Sequence, residues 1–149
     1  YNLKATDLQA SIGYIQMDKL EGFISSRKKN WDKINKAILE MQDYFIPHQP
    51  TKDSEPSWFG YALTVKDNPK FSRDDMVKYL NENRIATRLM FGGNLIKQPA
   101  YKDKNFKISG ELINADIVMN STFWIGVYPG LTNEMIEYMI EKIKAFIAN

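Results

Sequence analysis

Near the end of the chain, Ile136, Met139, Ile140, Ile143, Phe146 and Ile147 recur at intervals of three and four residues. That spacing places all six on one stripe of an α-helix capped by Thr132, the clearest amphipathic signal in the sequence. A stripe this wide must be covered, so the chain has to supply an apolar surface for it to lie on. Three segments have the β-branched and aromatic content of strands: residues 58–65, Ile85 to Met90, and Thr122 to Val127. Three strands are too few for a doubly wound nucleotide-binding sheet. The expectation is an α+β fold, a small and mostly antiparallel sheet covered by helices.

The remaining elements follow from local chemistry. Thr6-Asp7-Leu8-Gln9 has the spacing of a capping box, with Asp7 favouring the positive end of the helix it opens. Apolar positions then continue through Leu8, Ile12, Ile15, Leu20, Phe23, Ile24, Trp31, Ile34, Ile38 and Met41. Glycine costs about 1 kcal/mol relative to alanine inside a helix, so two helices are expected, at 6–20 and 22–43, with a bend or break near Gly22. Pro47, Pro50 and Pro56 bracket a polar loop, Ser72 caps a short helix through Leu80, and Phe91-Gly92-Gly93-Asn94 requires a turn or a close approach. A charged loop from Lys102 to Lys107, a short helix at 112–119 and a turn at Pro129-Gly130 complete the order α-α-β-α-β-α-β-α.

Length and composition exclude several classes of function. At 149 residues the chain holds about one domain. Twenty Lys and Arg against eighteen Asp and Glu leave +2, too balanced to indicate nucleic acid or a membrane surface as partner. Zero cysteines exclude a disulfide framework, a thiolate-ligated metal within these residues and a thiol nucleophile. The single histidine, His48, leaves almost no room for a self-contained histidine metal site or triad. No apolar run approaches the ~20 residues that span a bilayer, and no leader is visible. Beginning at Tyr1, the chain reads as a soluble, cytoplasmic piece of something larger, chemically incomplete by itself.

Few residues stand out as candidates for chemistry. His48, between Pro47 and Gln49, reads as a solvated loop histidine. Gly92-Gly93-Asn94 reads as a turn, since it matches neither a P-loop nor a dinucleotide fingerprint. Arg88, on a strand leading into those glycines, can offer a planar fork to a phosphate or carboxylate, or form a salt bridge at a sheet edge. Trp58, Phe59 and Trp124 read as core, and Arg27, Lys28, Lys29, Lys33 and Lys36 as a solvated helix face.

The opening Tyr1-Asn2-Leu3-Lys4-Ala5-Thr6-Asp7-Leu8-Gln9-Ala10, followed by Ile12-Gly13 and Gln16, resembles the opening signature of the DegT/DnrJ/StrS sugar aminotransferase family. Tyr128-Pro129-Gly130-Leu131-Thr132 resembles that family's closing turn. Ser57-Trp58-Phe59-Gly60, the run from Thr87 to Pro99, and Asn120 to Gly126 look closer to its branch of nucleotide-sugar 3-dehydrases of O-antigen (lipopolysaccharide) biosynthesis.

The resemblance implies the small C-terminal domain of a fold-type-I vitamin B6 enzyme. Residues 1–43 would be a helical lead-in from a missing N-terminal large domain, and 44–149 the small domain itself. It implies a homodimer in which Asn2 contacts cofactor phosphate, while Arg88, Asn94 and Gln98 face the nucleotide sugar, with Arg88 at a phosphate. The implied reaction is C3 deoxygenation of CDP-4-keto-6-deoxyglucose. Pyridoxamine 5'-phosphate (in place of pyridoxal phosphate with its lysine) condenses with the 4-keto group and a histidine removes a proton. A [2Fe-2S] cluster and an iron-sulfur flavin reductase then deliver electrons. The histidine and cluster cysteines would precede Tyr1, leaving these residues inactive alone. A pyridoxal-phosphate sugar aminotransferase, or a non-catalytic ligand-binding or dimerisation module, are the alternatives.

Overall fold

Gly60–Val65 and Thr122–Gly126 form the centre of the sheet, because each is paired along both edges. The computed structural model describes residues 3–148, so Asn2 lies outside the described residues. In chain order the elements are α1 (Asp7–Met17), α2 (Leu20–Leu39), β1 (Phe45–Ile46), β2 (Gly60–Val65), α3 (Arg73–Glu82), β3 (Thr87–Leu89), α4 (Ile113–Ser121), β4 (Thr122–Gly126) and α5 (Asn133–Ala148). Two 3-10 turns, Leu95–Lys97 and Pro99–Tyr101, lie between β3 and α4. The strand order is β1-β2-β4-β3, and every pairing is antiparallel. The α+β architecture expected from the sequence is therefore present, with one strand more than expected.

Register decides which residues meet. Tyr61 lies opposite Ile125 and Leu63 opposite Phe123 across β2 and β4, and Thr87 lies opposite Ile125 across β3 and β4. Because side chains alternate along a strand, Tyr61, Leu63, Val65, Phe123 and Ile125 share one face, joined by Phe45 of β1. That face is buried beneath Ile34 and Ile38 of α2, Met76 and Leu80 of α3, and Ile136 and Ile143 of α5. The stripe of α5 thus finds the surface it needs. Ala62, Trp124 and Arg88 fall on the opposite face as a single cross-strand row.

The expected capping box of Thr6 with Gln9 forms at α1, and the expected cap at Ser72 proves to be a second box, with Asp75, at α3. Thr132 Oγ1 accepts from the Met135 amide at the start of α5. The break between the first two helices falls at Asp18–Lys19, not at Gly22, which sits within the first turn of α2. Helix α2 stops at Leu39, where the amides of Glu40 and Met41 turn back to Ala37 and Ile38 and deliver Phe45 to the sheet. β3 is shorter than Ile85 to Met90 because the chain first completes the end of α3. Arg84 is left-handed (φ 61), with its amide on Asn81 and that of Ile85 on Leu80. This is the Schellman arrangement, with arginine in the place glycine usually takes.

The basic residues of α2 are not uniformly solvated. Arg27 Nη1 donates to the Trp58 carbonyl (3.2 Å), Lys28 pairs with Glu55, and Lys33 donates to Asn133 Oδ1 (2.8 Å). They tie α2 to the Pro-rich loop and to the start of α5. Helix α1 buries none of its residues and leaves Leu8, Ile12 and Ile15 exposed.

A Cβ at Gly22 would meet nothing within 4 Å. The Gly22→Ala variant is therefore expected to gain about 0.5–1 kcal/mol in stability by urea unfolding. A loss would mean that the chain bends at this glycine after all.

Candidate functional site

On the outer face of the sheet, Arg88 lies directly across from Trp124, and the Trp124 ring lies 4.7 Å from that of Phe59 at 51°. The indole rests against Gly60, where a Cβ would come within 2.6 Å of its ring, so only glycine lets it lie flat there. Phe59 is 64% exposed, so this pair is a surface feature and not the core packing expected from the sequence. Arg88 is exposed and donates from Nη1 to the Thr87 carbonyl at 3.0 Å. Among the described residues no carboxylate forms a salt bridge with it. A guanidinium has five donors in a fixed fork, so most of this one remains open to an anion.

The segment after Arg88 is held from below by α4. Asn94 is 2% exposed and its amide donates to Asp116 Oδ1 at 2.8 Å, with Lys97 Nζ at 2.7 Å from the same oxygen. Lys97, and then Asn94, hold the Asp116 carboxyl below the usual range. Gln98 Nε2 donates to the Gly92 carbonyl at 2.7 Å. Gly93 is left-handed (φ 56) and passes so close to α4 that a Cβ would fall 2.8 Å from the Met119 Cα. Asn94 thus spends its amide on α4 and Gln98 on the loop itself, while Arg88 is exposed. Phe91, between them, also has φ 46 and is 81% exposed. Backbone strain of this kind costs on the order of 1–3 kcal/mol and persists only where its surroundings enforce it. Asp116 and Phe91 were not singled out from the sequence. A strained backbone leaves no mark on residue order, and Asp116 is an unremarkable helix residue until Asn94 is seen above it.

His48 is not a solvated loop residue. It is half-buried, edge-on to Trp58 (4.8 Å) and Trp31 (6.1 Å), while Trp31 and Trp58 stack at 4.5 Å. The Pro-rich loop folds it back onto α2, and burial pulls its pKa below the ordinary value. The Nδ1 of His48 and the Nε1 of Trp31 are both buried without a hydrogen-bond partner. Beside them Tyr61 Oη donates to Asn35 Oδ1 at 2.8 Å, and burial pushes that phenol up to about 12. This cluster is packing, and no base emerges from it.

A separate apolar depression of ≈ 530 Å³ lies between the start of β3, the end of β4 and α5, walled by Ile85, Leu131, Met135 and Met139. None of the residues expected to bind ligand lines it.

The arrangement is a helix-backed antiparallel sheet whose outer face carries an arginine and aromatic rings. The chain belongs to the DegT/DnrJ/EryC1/StrS aminotransferase family, whose model matches residues 1–144. It is 42% identical over 146 residues to the lipopolysaccharide biosynthesis protein RfbH of Salmonella typhimurium, covering 98% of this chain and 33% of that protein. It is likewise 42% identical over 148 residues to the dTDP-4-dehydro-2,6-dideoxy-D-glucose 3-dehydratase of Saccharopolyspora spinosa, covering 99% and 32%. Among solved structures it resembles GDP-4-keto-6-deoxymannose-3-dehydratase with a trapped PLP-glutamate geminal diamine, at 27% identity and a TM-score of 0.80, covering 95% and 36%. The chain spans about a third of the length of the relatives it matches.

The described residues do not fit a cluster or a cofactor base. The sequence has no cysteine, no group of three or more metal-ligating side chains is gathered among the described residues, and His48 is enclosed by aromatic rings. No helix among them is long and apolar enough to cross a membrane.

The burial of His48 has a sign that can be measured. With its folded pKa lowered, the unfolded chain takes up a proton first, so stability is full above the ordinary histidine value of 6.5 and falls as pH drops below it. Urea unfolding between pH 7 and 5 is expected to show this loss, and His48→Phe to abolish it. An unchanged slope in His48→Phe would mean that the histidine is not desolvated.

Proposed function

We propose that these residues form the C-terminal domain of a pyridoxamine-phosphate-dependent nucleotide-sugar 3-dehydrase that removes the C3 hydroxyl of CDP-4-keto-6-deoxyglucose in O-antigen biosynthesis. The observation that carries this reading is the 42% identity, over nearly the whole chain, to a lipopolysaccharide biosynthesis protein and to a sugar 3-dehydratase. The likeness of the Thr87 to Pro99 run to the nucleotide-sugar 3-dehydrase branch supports a nucleotide sugar as the substrate. Residues 1–43 lead in from a larger N-terminal domain, consistent with the exposed apolar stripe of α1. Pyridoxamine phosphate supplies an amine for the 4-keto carbon, and the cluster, with a reductase partner, supplies electrons. The ligands of both lie beyond residues 3–148, apart from a phosphate contact by Asn2 in a homodimer. On this reading the 149 residues are inactive alone, and the full-length enzyme works in the cytoplasm.

Within the chain, Arg88 meets a substrate phosphate from the free face of the sheet. Asn94 and Gln98 fix the loop that borders it. The second reading is a pyridoxal-phosphate sugar aminotransferase, which the family's own description favours.

An absorption spectrum of the full-length protein, purified without oxygen, separates the two. Iron–sulfur bands without a borohydride-sensitive cofactor band are expected for the dehydrase. A borohydride-sensitive band without iron would establish the aminotransferase and overturn the first reading. In the same protein Arg88→Ala is expected to raise the KM for the nucleotide sugar roughly 10- to 100-fold, the range of one charge-assisted hydrogen bond, with kcat little changed. An unchanged KM would remove Arg88 from the site.

A further inference from the structure

We propose that Phe91 is a substrate-binding contact whose ring stacks on the nucleobase of the nucleotide that Arg88 holds by its phosphate. The inference rests on the reading of the chain as part of a nucleotide-sugar enzyme and adds a residue to that site.

Phe91 is the most exposed aromatic side chain among the described residues, and it stands on left-handed backbone. Glycine or asparagine would take that conformation with less strain, so local geometry does not account for a phenyl ring there. The ring has no aromatic partner among the described residues, whereas Phe59 has Trp124. The backbone around it is fixed on both sides. The Phe91 amide donates to the Leu89 carbonyl (2.8 Å), the Gly93 amide to the Met90 carbonyl (3.1 Å), and Gln98 holds the Gly92 carbonyl. Below, the Asn94–Asp116 hydrogen bond and the close seat of Gly93 on Met119 anchor the loop to α4. Five constraints thus converge to hold one apolar ring in water.

The cation already described stands three positions earlier in the chain, in β3. Three residues separate Arg88 from Phe91, a reach of at most about 10 Å along the chain, within the span of a nucleoside diphosphate. An open guanidinium calls for an anion, and an unpartnered ring calls for a flat apolar face. A nucleotide carries both in one molecule. Stacking accepts any base, because every base has a π-face, so the ring supplies affinity for the nucleotide while the loop around it sets which base fits.

The test titrates CDP, dTDP, GDP and inorganic pyrophosphate into the full-length protein by calorimetry. For the nucleoside diphosphate bound best, Phe91→Ala is expected to weaken binding roughly 5- to 100-fold, the range of one base–aromatic stack, and Phe91→Trp to retain it. Pyrophosphate, which has no base, should bind Phe91→Ala as it binds the unaltered protein and fail to bind Arg88→Ala. The melting temperature of Phe91→Ala should be unchanged. Undiminished nucleotide binding by Phe91→Ala, with Arg88→Ala impaired, would overturn the role of Phe91 and leave the nucleotide-sugar reading standing. Equal losses for nucleotide and pyrophosphate, or a lowered melting temperature, would mean that the ring packs within the full-length protein, and would also overturn it. A full-length protein that binds none of the four probes would overturn the nucleotide-sugar reading itself.

Discussion

The antiparallel pairing of β2 with β4 is the constraint on which the other elements rest. Five consecutive residue pairs, from Gly60 with Gly126 to Thr64 with Thr122, fix the register. A slip by one residue would turn Tyr61, Leu63, Phe123 and Ile125 to the opposite face and leave α2, α3 and α5 nothing to cover. The pairing is itself supported at its ends. Gly60 admits the Trp124 ring, and the Thr64 and Thr122 hydroxyls lie 2.9 Å apart. Buried Asn30 donates to the carbonyls of Val127 and Tyr128, holding the chain as it leaves β4 for the turn at Pro129.

A sheet with helices on one side has a second side to account for. Here that side is neither uniformly polar nor covered by a second helical layer. Its central row reads Ala62, Trp124, Arg88, and α4 serves it indirectly by seating the loop that follows Arg88. The division of labour is physical: hydrophobic burial on one face fixes the strands, and the strands then hold cationic and aromatic groups on the other at fixed spacing. A surface carried on paired strands needs little reorganisation to meet a ligand, which is why rigid elements position sites better than loops do.

Much of this was legible in the sequence where a local rule operates. The capping box at Thr6, the cap at Ser72, the stripe of α5 and the three longer strands all follow from residue type and spacing. The failures share a cause, since each depends on a partner distant in the chain. Nothing in Phe45-Ile46 marks a two-residue strand until Val65 is beside it. His48 looks solvated between two prolines until Trp31 and Trp58 close on it. Gly22 looked like the helix break because glycine disfavours helix, yet the turn came at Asp18–Lys19. For the candidate site, the sequence marked the whole run from Arg88 to Gln98. It did not separate the side chain that faces out from those that hold the loop, because that depends on Asp116, more than twenty positions away on α4.

The three left-handed residues other than glycine show how strain and role can be separated. Asp53 sits in a turn closed by the Ser54 amide on Thr51, and aspartate tolerates that conformation. Arg84 ends α3, where two backbone hydrogen bonds repay the left-handed turn directly and Ile85 is buried beside Leu80. Phe91 also lies in a turn, closed by the Gly93 amide on the Met90 carbonyl, but phenylalanine does not favour that conformation as aspartate does; it ends no helix, and its side chain gains no burial. What maintains it is the set of anchors on either side, Gln98 on Gly92 and Asn94 on Asp116, whose hydrogen bonds satisfy groups that would otherwise be left unpaired. Strain that neither capping nor packing repays is thus held by the hydrogen bonds on either side of it and not by the residue that bears it.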